Sequence, residues 1–313
     1  MHAAVVTSFD APPAYQDFPT PTPHGSNEVL VDVVASGLHR RVRSQADGSH
    51  YTSTGELPLV PGVDGVARMS DGTLRYFALG DTTSGAMAEQ TVIDLRQSLP
   101  LPEGTDPVQV AAAMNPALSS WVALRRRVSL QSGQTVLVLG ATGSSGQMAV
   151  QVAKRLGAGH VIAAGRNPTL LAELPDLGAD TVVRLGEGPG LGEVAADVDV
   201  VIDYLWGQVT VDAMTAIATN RADHSRPLTW IEIGSVAGPD AAIPSAALRA
   251  LPLQIVGSGQ GSVSTAVILA ELPALVAEIS SGALHIDARA VPLVDVASAW
   301  QDAQSAERIV LTL

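Results

Sequence analysis

One short turn of the chain carries residues that could bind phosphate. The motif Ala141-x-Gly143-x-x-Gly146 follows the apolar run VLVL and opens a helix-like pattern. Glycine at 143 lets a pyrophosphate approach the main chain, glycine at 146 lets a helix pack closely on the strand, and the helix start offers free N–H groups. Further hydroxyl donors lie on three residues of the same turn: Thr142, Ser144 and Ser145. This context predicts a dinucleotide site, with an ordinary tight strand-to-helix turn as the alternative.

The residues about twenty positions further on decide which dinucleotide is expected. An NAD site usually has an acid there, at the end of the second strand, to bind the ribose hydroxyls. This chain has Gly165, Arg166 and Asn167 after the run HVIAA, and no acid. An arginine attracts a 2′-phosphate through charge-assisted hydrogen bonds. The sequence therefore predicts NADPH, unless Arg166 is only a solvated loop residue.

Other candidate cofactor residues follow apolar runs further along the chain. Ligands collect outside the carboxyl ends of parallel strands, so residues at those ends are candidates. They are Tyr204 and Leu205 after VDVVID, Gly234 and Ser235 after LTWIEI, and Ser258 in IVGSG. Ser119 or Ser120 could reach the nicotinamide ribose or carboxamide, although SSW could simply be a helix start.

The elements that must position these residues change character along the chain. Residues 1–110 contain alternating, β-branched runs bounded by Pro and Gly, which predict strands. Helical periodicity begins near Asp106, and Asn115-Pro116 predicts two helices there. From Thr135 apolar strands alternate with helices, which is typical of a parallel sheet covered on both faces. The triple arginine Arg125–Arg127 reads as a solvated helix end favoured by the helix dipole.

Composition excludes several classes of protein. A chain of 313 residues favours two domains. The net charge of −13 opposes a general nucleic-acid binder. Without cysteine there are no disulfides, iron–sulfur clusters or cysteine–zinc sites. The N-terminal residues do not resemble a signal peptide, and no apolar run is long enough for a membrane span, so a cytoplasmic protein without membrane or nucleic-acid partners is expected.

The chain resembles the medium-chain dehydrogenase/reductase superfamily, in its zinc-free quinone oxidoreductase branch. Short-chain reductases are disfavoured, because they place the glycine motif near the N-terminus and carry Tyr-x-x-x-Lys, which is absent here. The matching stretches keep the order of the family and span nearly the whole chain. They are EVLVDVVASGL, LPLVPGVDGVA, GAMAEQTVI, SSWVAL, GQTVLVLGATGSSGQMAVQVAK, VDVVIDYL and VPLVDVASAW.

This resemblance implies an α/β protein with two domains. A GroES-like, β-rich catalytic domain would comprise residues 1–115 and 255–313, and a Rossmann-type, doubly wound parallel-sheet domain would comprise 116–254. The nicotinamide would lie in the cleft between them. Zinc-dependent relatives bind the catalytic metal at positions that correspond to His39, Val63 and Asn115. Valine cannot bind a metal and the cysteine-rich structural-zinc lobe is absent, so no metal site is expected.

The implied activity is NADPH-dependent, zinc-independent hydride transfer to a small quinone or activated alkene (enone). Such a reaction needs a group that stabilises the developing enolate and a source of protons. Tyr51, in the polar turn DGSHYTS, corresponds to a segment near the nicotinamide in relatives and is the first candidate; a surface turn tyrosine is the alternative. His39 is the second candidate, with a structural hydrogen-bonding histidine as the alternative.

The sequence departs from its relatives near the expected substrate cleft. Residues 38–42 are LHRRV where relatives usually have a Val-Asn-Pro-x-Asp-like segment. The identity of the relatives' substrates therefore cannot be assigned to this chain. An NADPH-binding structural or regulatory protein with little turnover is therefore the second hypothesis. The apolar run ALPLQIVGSG reads as the edge strand of the Rossmann sheet, and pairing with a second copy, as in relatives, predicts a homodimer.

Overall fold

The structure, a computed structural model, describes most of the chain: residues 1–80, 82–186, 190–302 and 307–313. Strands within this part are β1 (His2–Val5), β2 (Ala14–Asp17), β3 (Glu28–Gly37), β4 (Asp64–Arg68), β5 (Leu74–Ala78), β6 (Gln90–Asp94), β7 (Ser98–Pro100), β8 (Thr135–Leu139), β9 (His160–Gly165), β10 (Thr181–Arg184), β11 (Val200–Asp203), β12 (Leu228–Glu232), β13 (Leu253–Gly257), β14 (Ala288–Pro292) and β15 (Arg308–Thr312).

The α-helices within the same part are α1 (Arg40–Ala46), α2 (Pro107–Val122), α3 (Ser144–Arg155), α4 (Pro168–Glu173), α5 (Leu191–Val194), α6 (Gly207–Asn220), α7 (Ser245–Ala250), α8 (Thr265–Ser280) and α9 (Val296–Gln301). Short 3₁₀ turns cover Leu95–Gln97 and Leu293–Asp295, and a π-helical turn covers Ala123–Arg127. None of the helices in the described ranges is both long and apolar enough to cross a bilayer.

The chain divides into two compact units. The first comprises Met1–Asn115 and Leu272–Leu313, and the second comprises Pro116–Glu271. The second junction therefore lies later than the 254/255 boundary that the resemblance implied. The reason is that β13 pairs with β12 in the sheet of the second unit, and Glu271 accepts a hydrogen bond from Trp121 of that unit at 2.7 Å.

The first unit is largely antiparallel, as its alternating sequence predicts. β1 pairs with β2, and a larger sheet has the order β14-β15-β3-β4-β5-β7, with β6 also paired to β3. Among the strands described in this larger sheet, only β14 and β15 pair in parallel. The core of the unit holds fully or almost fully buried aliphatic side chains, among them Val5, Leu38, Met87, Val296 and Leu311. This sheet positions the polar residues that follow β3 and begin β4.

The second unit is a six-stranded parallel sheet, which confirms the predicted alternation of strands and helices. Its strand order is β10-β9-β8-β11-β12-β13, and every pairing is parallel. The order reverses between β8 and β11, and in doubly wound sheets a crevice for ligands opens at the carboxyl ends of such strands. Continuous apolar strands fill the centre, where Leu137, Val201 and Trp230 are completely buried.

The prediction of two helices around Asn115-Pro116 is wrong, because α2 runs through Pro116 without interruption. Proline removes one backbone donor and usually kinks a helix. Here Ala112, Ala113 and Ala117 are completely buried, so packing of the helix face outweighs that lost hydrogen bond.

The prediction of a solvated helix end for Arg125–Arg127 agrees with the exposure of Arg125 and Arg126 in the last turn of the π-helix, but it missed their acidic partner. Arg125 and Arg126 each donate an Nε–H bond to the buried carboxylate of Glu271, at 2.7 and 2.5 Å. The Arg125 guanidinium also stacks on the Trp121 ring, 5.0 Å from its centroid. A carboxylate buried in this way needs cationic partners, and these arginines supply them.

Candidate functional site

The glycine turn lies between β8 and α3, at the carboxyl edge where the strand order reverses. Gly143 caps α3 without a side-chain hydrogen bond, and the first helical bond runs from the Gln147 N–H to the Gly143 carbonyl at 2.9 Å. Among the described residues, no acceptor meets the N–H groups of Ser144, Ser145 and Gly146. Such orphan donors, with the positive end of the helix dipole, form an anion-binding site.

The two glycines of the turn meet the steric needs that the motif predicts. A Cβ on Gly146 would overlap the carbonyl oxygen of Gly140 and lie 2.6 Å from the Ala141 Cα, so only glycine lets α3 pack this closely. A Cβ on Gly143 would meet only the Gly140 oxygen, at 3.6 Å, and would otherwise project into open space. That space beside free N–H groups fits a pyrophosphate.

The residues predicted for the ribose end lie together at the carboxyl end of β9. Gly165 ends the strand, and a Cβ there would lie 2.6 Å from Thr142 Cγ2, which brings this position against the glycine turn. Arg166 is exposed. The side-chain oxygen of Asn167 caps α4 by accepting from the N–H groups of Thr169 and Leu170, so Asn167 has a structural role in addition to any contact with ribose.

Ser119, Ser120 and Tyr204 form a cluster of hydroxyls beside the carboxyl end of β11. The hydroxyls of Ser119 and Tyr204 lie 2.9 Å apart, and Ser119 also donates to the Pro116 carbonyl at 2.8 Å. Ser120 is completely buried and donates to the Ala117 carbonyl. Burial raises the pKa of Tyr204 to about 12, opposed by hydrogen bonds to both serines, so its phenol is neutral at physiological pH.

Asp203, the last residue of β11, organises the loop that carries Tyr204 and Leu205. The sequence places it with those two residues at a strand end where ligands are expected, but does not indicate its structural role. Its completely buried carboxylate accepts the Leu205 N–H at 2.8 Å, the Trp206 N–H at 3.0 Å and the Trp230 indole N–H at 2.9 Å. A carboxylate with this many donors fixes the loop in one conformation.

The other predicted cofactor residues lie at the same sheet edge. The Gly234 N–H donates to the Asp203 carbonyl at 3.2 Å, and a Cβ on Gly234 would lie 3.3 Å from the Tyr204 carbonyl oxygen. Ser235 is exposed. Ser258 is buried and its N–H donates to the Glu232 carbonyl at 2.8 Å. The second unit thus brings the predicted residues to the carboxyl ends of β8, β9, β11, β12 and β13.

The two proton-donor candidates of the first unit have opposite environments. Tyr51 is 73% exposed, and its ring stacks on His50 with centroids 4.5 Å apart. His39 is only 3% exposed, and its Nε2 lies 3.0 Å from Asp64 Oδ1. Burial, the largest influence, lowers the pKa of His39, and the hydrogen bond to Asp64 opposes that shift.

The residues at the zinc-ligand positions of metal-dependent relatives do not form a ligand set. Val63 is buried in the apolar core of the first unit beside Leu38 and Val60. Within the described ranges, no three His, Asp or Glu side chains lie close enough to share a metal ion. His39 has Asp64 as its partner instead, at hydrogen-bond distance.

Comparisons with known proteins place these features in a family. No protein-family model matches the chain. It is 32% identical to the probable NADPH-dependent quinone reductase tdiC of Emericella nidulans, over 96% of this chain and 97% of the relative. Quinone oxidoreductase-like protein 2 of Rattus norvegicus is 28% identical over 78% of this chain and 70% of the relative.

A solved structure agrees over the full length. The quinone oxidoreductase of Thermus thermophilus, which is known alone and with NADPH, matches with a TM-score of 0.85 and 25% identity, covering 100% of both chains. Together with the strand order, the glycine turn and the extent of the identity, this shows that the chain belongs to the quinone oxidoreductase branch of the medium-chain dehydrogenase/reductase superfamily.

Proposed function

We propose that the protein is an NADPH-dependent, zinc-independent oxidoreductase that reduces a quinone or an activated alkene. The observation that carries the proposal is the open N-terminus of α3, where the N–H groups of Ser144, Ser145 and Gly146 face the space beside Gly143. It is supported by the relative in Emericella nidulans, which is named an NADPH-dependent quinone reductase. The neighbour from Thermus thermophilus binds NADPH.

The cofactor contacts are proposed residue by residue. The turn Ala141–Gly146 would hold the pyrophosphate through its N–H groups and the hydroxyls of Thr142, Ser144 and Ser145. Gly165, Arg166 and Asn167 would surround the adenosine ribose, with Arg166 on the 2′-phosphate. The remaining candidates would hold the nicotinamide half: Ser119, Ser120, Tyr204, Leu205, Gly234, Ser235 and Ser258.

The chemistry divides between cofactor and protein. NADPH supplies a hydride when bound, and the protein supplies orientation, electrostatic stabilisation and a route for the proton. Tyr51 and His39 remain the two candidates for that proton. Tyr51 has ready access to water, which can replace the proton it gives, whereas buried His39 is held by Asp64. The cytoplasm is the compartment we propose, since the sequence lacks the cysteines that secreted proteins often use.

The experiment is steady-state oxidation of NADPH with a simple benzoquinone and with an enone. Sustained turnover of either substrate supports the proposal, and their ratio identifies the preferred class. The double variant Ser144→Pro and Ser145→Pro removes two N–H donors from the turn and should weaken NADPH binding. NADPH binding without turnover of either substrate would favour the structural or regulatory hypothesis instead.

A further inference from the structure

Three buried side chains from neighbouring strands form a hydrogen-bonded chain in the first unit. His39 follows β3, Asp64 begins β4 and Tyr76 lies on β5. His39 Nε2 lies 3.0 Å from Asp64 Oδ1, and the Tyr76 hydroxyl donates to Asp64 Oδ2 at 2.9 Å. All three residues are at most 3% exposed. Ser36 fixes the start of β4 by donating to the Asp64 main-chain carbonyl at 3.1 Å.

This hydrogen-bonded chain sets the protonation pattern of the imidazole. Burial raises the pKa of Tyr76 well above its usual value, so its hydroxyl keeps its proton and donates. A carboxylate only accepts hydrogen bonds, so Asp64 requires a proton on His39 Nε2. In the neutral ring Nδ1 then carries a lone pair. Among the described residues, this buried Nδ1 has no hydrogen-bond partner.

The groups around His39 favour its neutral form. Gly37 pairs with Val310 in antiparallel register, and the Leu38 N–H donates to the Ile309 carbonyl at 2.9 Å. Continuation of this register sets Arg308 opposite His39. The positive charges of Arg308 and Arg41 add to burial in lowering the pKa of His39, and Asp64 opposes them. Asp64 in turn favours the charged form of Arg308.

We propose that Asp64 and Tyr76 are positioning residues that make His39 Nδ1 the proton-transfer atom for the oxygen of a carbonyl or hydroxyl substrate, such as a quinone and its hydroquinone. This inference rests on the proposed function and narrows its substrate class. A buried acceptor without a partner is destabilising unless something binds it. A substrate hydroxyl is a donor of the right kind, and a histidine held by a carboxylate is a common metal-free acid–base arrangement.

The proton and electron balance follows directly. Reduction of a carbonyl adds a hydride from NADPH to the substrate and a proton from His39 Nδ1 to the oxygen, leaving NADP⁺ and a neutral imidazole that water reprotonates. In the reverse direction, the substrate gives a hydride to NADP⁺ and its hydroxyl proton to Nδ1. Reduction by this route therefore requires protonated His39, and oxidation requires the neutral ring.

The first test observes the ring directly and needs no turnover. We would record ¹⁵N spectra of the histidine side chains of the full chain, with His39→Gln to assign the signal among seven histidines and exposed His24→Gln as the control. We expect a proton on Nε2 and none on Nδ1 at neutral pH, and a shift of the Nδ1 signal when phenol is added in the presence of NADP⁺. A proton on Nδ1, or an Nδ1 signal indifferent to phenol, would overturn the inference.

The second test separates positioning from a structural role. Tyr76→Phe removes a donor from Asp64, which makes the carboxylate a stronger acceptor, so the pKa of His39 should rise in the spectra and in the pH profile of quinone reduction. Asp64→Asn should abolish the single tautomer, and a thermal melt checks that it folds. His39→Gln should lower kcat for quinone reduction by about 10²–10⁴-fold.

The outcomes also distinguish this inference from the proposed function. A wild-type protein that reduces quinone, with His39→Gln and Tyr76→Phe unchanged within twofold, overturns the role of His39 and leaves the oxidoreductase intact. A wild-type protein without turnover contradicts the proposed function, while a phenol-dependent Nδ1 signal would still support the site. Quinone reduction by NADPH that slows as the pH rises through the pKa of His39, in the wild-type protein but not in His39→Gln, supports both.

Discussion

The Tyr204 hydroxyl lies 2.9 Å from the Ser119 hydroxyl, which in turn donates its proton to the Pro116 carbonyl at 2.8 Å. Because a serine hydroxyl has one proton, Tyr204 is the donor in its bond to Ser119. The phenolic oxygen therefore has lone pairs left to accept a further hydrogen bond. A carboxamide NH₂ is such a donor, so the pair fits the nicotinamide half of the cofactor better as an acceptor than as a source of protons.

The choice between NADPH and NADH gives the first prediction. Arg166 is exposed after β9, where no acid stands to repel a 2′-phosphate. We expect NADPH to bind at least about tenfold more tightly than NADH, since one charge-assisted phosphate contact contributes roughly 1.5–3 kcal/mol. Arg166→Ala should remove most of that difference in a fluorescence titration of both cofactors.

The control for this experiment is Arg249→Ala, an exposed arginine at the end of α7 that should leave the preference unchanged. Equal affinity of the wild-type protein for NADPH and NADH would contradict the assignment of Arg166.

The cofactor fold was more predictable from sequence than the proton-transfer groups. The run from Val136 to Gly146 combines a buried strand, a glycine turn and a helix start in one contiguous segment, so its pattern alone indicates the geometry. The sequence did not indicate Asp64 and Tyr76, because strand pairing brings them into one hydrogen-bonded chain with His39. Asp64 lies 25 residues from His39 along the chain, and Tyr76 lies 12 residues from Asp64. The acidic partner of Arg125 and Arg126 is Glu271, which lies about 145 residues further along the chain, so no local sequence pattern indicates the pairing.

Metal independence gives the second prediction. Val63 occupies a position where zinc-dependent relatives have a ligand, and its side chain is buried among aliphatic residues. We expect elemental analysis of the purified protein to find no stoichiometric zinc. A chelator should leave the rate of quinone reduction unchanged. Val63→His tests the position itself, because it restores a ligand where zinc-dependent relatives have one and should increase zinc binding. One zinc per chain in the wild-type protein would show that this assignment is wrong.

The acid stability of the first unit gives the third prediction. The pKa of His39 is lowered in the folded state from its usual value of 6.5, mainly by burial. Between that value and the lower folded pKa, the unfolded chain binds more protons than the folded one. Stability should therefore be full above pH 6.5 and fall as the pH drops, by at most about 1.4 kcal/mol per pH unit.

Urea unfolding between pH 7 and 5 measures this effect. His39→Gln, which cannot titrate, should lose the dependence that His39 contributes, whereas exposed His24→Gln should retain it. The same slope in all three proteins would mean that His39 does not titrate as its environment indicates.

Assembly gives the fourth prediction. Among the described residues, β13 pairs only with β12 and forms one edge of the parallel sheet, with half-buried Leu253, Ile255 and Val256. An apolar edge strand is prone to pair with another chain. We expect a homodimer through this edge, because pairing the same strand about a two-fold axis would cover it in both copies.

Light scattering at micromolar concentration should give the mass of two chains. Val256→Lys places a charge on the edge and should shift the mass toward one chain. Val182→Lys on β10, a 40% exposed position at the opposite edge of the same sheet, is the matched control and should remain dimeric. A wild-type mass of a single chain would exclude this assembly.

The last prediction concerns Tyr51. If its phenol gives a proton or holds the enolate oxygen, Tyr51→Phe should lower kcat with an enone by about 10²–10⁴-fold, the usual effect of a positioned acid. NADPH affinity should hardly change, because the phenol is not expected to touch the pyrophosphate. A quinone should be affected less, because we propose that His39 rather than Tyr51 supplies the proton to its oxygen.

Tyr15→Phe is the matched control for this variant. Tyr15 also stacks on a histidine, His2, with ring centroids 5.0 Å apart, so loss of its hydroxyl tests the effect of altering a stacked tyrosine elsewhere in the same unit. Enone and quinone rates are measured for both variants under one set of conditions. If Tyr51→Phe reduces the enone within twofold of wild type, Tyr51 is only a turn residue. The proton then comes from His39 or from water, and the rates of His39→Gln distinguish these two sources.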